Sequence, residues 1–138
     1  FSEGSRELLN VTAIDLRHPE LRMQTRPSLL RVLRDLGVDL RPIPCGGDDF
    51  ILQQREQWTD GANAFCLAPG VITSYGRNVA TAEALDRAGY RVLQARQVLN
   101  DPTLDLLDGG KYLIQLEAGE LSRARGGPRC MTMPLSRA

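Results

Sequence analysis

The sequence is short of several things at once. Of 138 residues only seven are aromatic, one is His, and one, Lys111, is Lys. There is no net charge, with 17 basic side chains against 17 acidic ones. A balanced chain of this kind makes no general field for gathering nucleic acid or anionic lipid, so polyanion partners are excluded at this level. A lone histidine argues against a zinc site, and nothing suggests disorder, a collagen repeat or a membrane span. The opening residues Phe1-Ser2-Glu3-Gly4 carry neither a starting Met nor the basic stretch and apolar core of a signal peptide. The chain is therefore expected to begin inside a longer polypeptide, or to have been processed. Three cysteines, Cys45, Cys66 and Cys130, make no C-x-x-C pair, and an odd count without a secretion signal reads as free thiols in a reducing compartment.

What is present describes an ordinary small globular chain, 42% hydrophobic and 25% charged. Sixteen of the seventeen basic residues are Arg, a coding bias on exposed faces where Arg and Lys exchange freely. Residues 10–16 alternate Val11, Ala13 and Asp15 with Thr12, Ile14 and Leu16, as a strand buried on both faces would. Pro27 stands at a first helical position, and Leu29, Leu30, Val32, Leu33 and Leu36 recur at helical spacing up to Gly37. Residues 38–43 return as a strand that Pro42, Pro44 and Gly46-Gly47 close into a loop. Residues 48–58 fit either a strand through Phe50, Ile51 and Leu52 or a short helix.

Residues 62–68 and 71–75 are two apolar runs joined by Pro69-Gly70, the pair suited to a type II turn, and predict a β-hairpin. Asn78 caps a helix running to Ala88, with Val79, Ala82, Ala84, Leu85 and Ala88 on its buried side and Gly89 after it. Strands follow at 90–93 and 111–116, separated by a loop or short-helix insertion over 97–110. A last strand is expected at 130–135. The order strand, strand, helix, strand over 62–95 matches strand, helix, strand over 10–43, as if one structural unit were repeated with its first strand missing.

The most informative run is residues 119–134, a Gly- and Arg-rich loop that leads into Cys130. Thiolate is the reactive form of cysteine, and guanidinium or backbone N–H groups nearby favour it. Composition alone favours a buried structural cysteine after a surface loop. A phosphate cradle is a poorer fit, because the Walker spacing and its Lys-Ser/Thr are missing.

Arg125-Gly126-Gly127-Pro128-Arg129-Cys130-Met131-Thr132-Met133-Pro134, with Glu56-Gln57-Trp58-Thr59-Asp60-Gly61-Ala62-Asn63 and Ala68-Pro69-Gly70-Val71 before Tyr75 and Arg77-Asn78, resembles the C-terminal part of bacterial arginine deiminase. The resemblance covers roughly residues 38–137. It implies an α/β fold, part of the five-bladed α/β propeller of the guanidino-modifying (pentein) superfamily, here about two ββαβ repeats of five. It also implies that Cys130 attacks the guanidinium carbon of L-arginine, that ammonia leaves, and that water releases citrulline from a thiouronium intermediate. Arg125 matches the family arginine that binds the substrate α-carboxylate, and Ala124 stands where the family commonly has a glycine whose carbonyl faces substrate. No cofactor or metal is implied. The implied partners are L-arginine, the remaining repeats of the same enzyme and further copies of it, in the cytoplasm, without nucleic acid or membrane.

Other residues read as structural. Asp60 holds its loop, since the family's guanidinium-binding aspartates belong to earlier segments; Trp58 is a packing anchor, and Cys45 and Cys66 are small buried hydrophobes. The family's proton-transfer glutamate and His-x-Asp histidine have no counterpart, because His18, in Arg17-His18-Pro19-Glu20, is locked beside a proline after its strand. The whole of residues 1–138 is thus expected to be a C-terminal portion, inactive without upstream repeats. A second reading is an inactive pentein-fold remnant that serves as a binding or interaction module.

Overall fold

The computed structural model describes residues 10–17, 19–118, 120–124, 126–133 and 135, and the side chain of Ala124 is outside that description. The chain divides into two compact units, residues 1–42 and 43–138.

In the first unit β1 (Val11–Asp15) pairs antiparallel with β2 (Arg22–Arg26), and α1 (Leu29–Asp35) follows. The predicted strand is present, but only one of its faces is shielded: Val11, Ala13 and Asp15 are half-buried whereas Thr12 and Ile14 are exposed. β2 carried no hydrophobic signal, because Arg22-Met23-Gln24-Thr25-Arg26 is exposed throughout and is held by its backbone ladder to β1. Ser28 is the N-cap of α1, so Pro27 lies one position outside the helix rather than in its first turn. The strand expected at 38–43 does not form. Pro42 has no N–H to give a ladder, and Pro44 follows it closely. The unit is therefore strand, strand, helix, with its closing strand missing instead of its first.

In the second unit four strands form one sheet in the order β3 (Phe65–Ala68), β4 (Val71–Tyr75), β6 (Tyr112–Leu116), β5 (Arg91–Gln94). The hairpin β3–β4 is antiparallel, and Gly70, at φ 81°, supplies the positive φ that the third position of a type II turn requires. β6 enters between β4 and β5 and runs parallel to both. Helices α2 (Phe50–Trp58), α3 (Val79–Arg87) and α4 (Ala95–Asn100) complete the unit. The ambiguous segment 48–58 is a helix because Asp49 accepts from the backbone N–H groups of Ile51 and Leu52 at 2.8 and 2.9 Å, a cap that fixes its start.

Strand alternation splits the core across the sheet. Val71, Leu93, Tyr112 and Ile114 face Val98 of α4 and Leu104 and Leu106 of the insertion, while Leu113, fully buried, faces Ala82 and Leu85 of α3. Val79 is exposed, outside the buried side drawn for that helix. The strand expected at 130–135 is replaced by turns over 128–131, since Pro128 and the cross-loop bonds described below hold the chain out of any ladder. The mixed α/β class is thus observed, in two sheets and four α-helices among the described residues, without a closed propeller.

Candidate active site around Cys130

The candidate site lies beyond the carboxyl end of β4, where a parallel sheet conventionally presents its chemistry. Tyr75 is the last residue of β4 and is 1% exposed. Its hydroxyl donates to the carbonyl of Gly126 at 2.8 Å and lies 3.3 Å from Met131 Sδ, so it ties the strand end to the loop on both sides of the cysteine. Burial pushes the Tyr75 phenol above its ordinary value, and the Asp60 carboxylate and Cys130 sulfur add to that push. Three chemically capable groups therefore share one neighbourhood.

Cys130 is exposed, which excludes the buried structural cysteine. A hydrogen bond reaches its Sγ from Asn63 Nδ2 at 2.8 Å, across 67 positions of sequence. Gly127 makes that approach possible: a Cβ there would overlap Asn63 Cβ and Cγ and stand 2.7 Å from its Oδ1. On the other side of the loop Arg77 donates to the buried Ser122 hydroxyl at 2.8 Å, anchoring the 3₁₀ turn Leu121–Ala124 that precedes the cysteine.

Asn63 is itself positioned by a braced turn. Glu56, 5% exposed near the end of α2, accepts from the N–H groups of Ala80 and Thr81 at 2.8 Å each and from the Thr81 hydroxyl at 2.6 Å, capping α3 from outside it. Asn78, the N-cap by position, gives its side chain to Thr59 instead, donating to the Thr59 carbonyl at 3.0 Å and accepting from the Thr59 hydroxyl. The chain then turns through Asp60 at φ 59° and returns a backbone bond from Asn63 N–H to the Asp60 carbonyl at 3.0 Å. Two buried acceptors in this turn, Asp60 Oδ2 and Asn63 Oδ1, have no hydrogen-bond partner among the described residues.

A sequence model of arginine deiminase matches residues 5–137. The chain belongs to the arginine deiminase family. Its relatives include arginine deiminases of Latilactobacillus sakei, 41% identical over 120 residues, of Listeria innocua, 39% over 131, and of Bacillus cytotoxicus, 37% over 139. These alignments cover 86%, 94% and 98% of this chain but 24%, 27% and 29% of the relatives, so the chain spans about a quarter of their length.

Of the residues singled out on the arginine deiminase resemblance, Cys130 is placed and exposed; Arg125, like His18, lies outside the described residues. Ala124 ends the 3₁₀ turn, which puts its backbone next to the Cys130 loop. Cys45 is buried as expected, and burial pushes its thiol up. Cys66 is exposed on the edge strand β3 rather than buried, and Trp58 is 65% exposed rather than a packing anchor. Asn63 and Tyr75 were passed over as site residues, although both stand in the motifs that carry the resemblance. Nothing in their residue types signals a contact with a cysteine so distant in sequence. Among the described residues no group of three His, Cys, Asp or Glu could hold a metal, and no helix is long and apolar enough to cross a membrane.

Proposed function

We propose that this chain carries the nucleophile segment of an arginine deiminase. The observation that supports this most directly is an exposed Cys130 in the loop that matches the family motif, its sulfur held by Asn63 and its loop held by Tyr75 at the Gly126 carbonyl. In the reaction the thiolate attacks the guanidinium carbon of L-arginine, the C–N bond breaks, and the departing nitrogen takes a proton and leaves as ammonia. Water then adds to the thiouronium carbon, the C–S bond breaks, and citrulline and the thiol are released. Arg125 binds the α-carboxylate through its planar fork of donors, and the backbone of Ala124 faces the substrate. The upstream glutamate and His-x-Asp histidine of the family supply the proton transfers.

The reading carries further repeats of the same enzyme as partner, together with a cytoplasmic, homo-oligomeric setting. The first unit supports an unfinished core, since Ile14, Met23, Leu29 and Leu36 are all exposed there. The test is citrulline formation from L-arginine, measured for this chain and for a polypeptide that adds the upstream repeats. Activity is expected only with the repeats and is abolished by Cys130→Ala. No citrulline even then, with Cys130 alkylated no faster than Cys66, would establish the inactive binding module instead.

A further inference from the structure

We infer that Asn63 is a positioning residue for Cys130, its amide donating to Sγ and so aiming the sulfur. The inference deepens the arginine deiminase reading and takes its catalytic meaning from it. Four observations converge on it. The Nδ2 to Sγ distance is 2.8 Å. Asn63 is held on its backbone side by the bond to the Asp60 carbonyl, and on its side-chain side by Gly127, against which no Cβ would fit. The sulfur is held in turn, because Tyr75 fixes Gly126 four residues before it. Finally, Oδ1 is buried without a partner among the described residues, so the polar contact this side chain makes there is with the cysteine.

A carboxamide suits the task because it donates without being able to take the proton it helps to release. A histidine there would compete as a base, and a carboxylate would repel the anion. Asn63 thus holds the sulfur, and acid–base chemistry is left to other groups.

The experiment follows alkylation of Cys130 by iodoacetamide against pH, read by peptide mass mapping in the parent, Asn63→Ala and Asn63→Asp. Loss of a hydrogen bond to a charged acceptor makes alkylation of Asn63→Ala roughly threefold to tenfold slower at neutral pH. At the alkaline plateau the order reverses, because a thiolate freed of its donor is the stronger nucleophile. The two profiles therefore cross, which simple loosening of the loop would not produce. Asn63→Asp, equal in size, is slower still at neutral pH. Alkylation of buried Cys45 reports any variant that fails to fold, and the isosteric Asp variant then decides the matter. Profiles that run parallel, or a neutral-pH rate in either variant at or above the parent's, overturn the inference. Citrulline formation by the repeat-containing polypeptide is scored separately, so crossing profiles without citrulline would defeat the arginine deiminase reading and leave this contact standing.

Discussion

Replacing Glu56 should unfasten the brace that carries Asn63, and the structure sets the size of the effect. The Glu56 carboxylate takes two backbone N–H groups from the first turn of α3 and the Thr81 hydroxyl, which itself accepts from Gly46 N–H at 2.8 Å. Glu56→Ala strands both amides and removes the acceptor from a buried hydroxyl. Hydrogen bonds to a charged partner contribute about 1.5–3 kcal/mol each, and since these three share one carboxylate they are not additive, so a loss of about 3–5 kcal/mol is expected. Glu56→Gln keeps the shape and one accepting oxygen but turns an NH2 toward a donor, which costs about 1–2 kcal/mol. With a urea slope of about 2 kcal/mol/M, the alanine variant should lose about 1.5–2.5 M in its unfolding midpoint by far-ultraviolet circular dichroism. A shift in Glu56→Ala equivalent to less than about 1 kcal/mol would refute the claim that this carboxylate caps α3.

Two further outcomes follow from the same contacts. Tyr75→Phe removes the donor to the Gly126 carbonyl and should cost about 1 kcal/mol in urea unfolding. Because the Tyr75 phenol is pushed up on folding, its contribution is present at neutral pH and is lost as pH rises through and above 10; the parent should therefore weaken faster than Tyr75→Phe between pH 8 and pH 11. Gly127→Ala puts a Cβ into the Asn63 side chain, an overpacking that costs about 1–3 kcal/mol, and it should give the alkylation profile of Asn63→Ala; a profile like the parent's would mean the loop had yielded without moving Asn63.

Local chemistry made the second unit legible. Pro69-Gly70, the apolar periodicity of residues 79–88 and the apolar run 112–116 each point to one backbone state, and the hairpin, α3 and β6 appear where those signals stand. The first unit was harder to read, because its second strand is polar and exposed and owes its existence to pairing with β1 alone. The strand foreseen around Cys130 does not form: its apolar residues alternate, but Met131 and Met133 are exposed and the chain turns over 128–131. At the site, Cys130 was visible from its motif, whereas Asn63 was not. A neutral amide in a turn has many ordinary uses, and only the fold brings it across 67 residues to a sulfur.

The placement of groups around that sulfur also divides the labour of the proposed reaction. Asn63 can donate but cannot serve as a base, and the Tyr75 phenol, pushed up, keeps its proton and spends it on the Gly126 carbonyl. Each stage of the hydrolysis nevertheless needs a proton moved at the reacting carbon, first onto departing ammonia and then off incoming water. Asp60 is the other titratable group that Tyr75 senses, and its turn is fixed by backbone bonds and a left-handed φ. On the proposed reaction, then, the chain would supply the nucleophile and its holder, with the acid and base coming from other repeats. That division predicts that Cys130 can be alkylated readily in this chain alone while L-arginine is left unchanged; citrulline made by the chain alone, and lost with Cys130→Ala, would show that the missing acid and base lie within it.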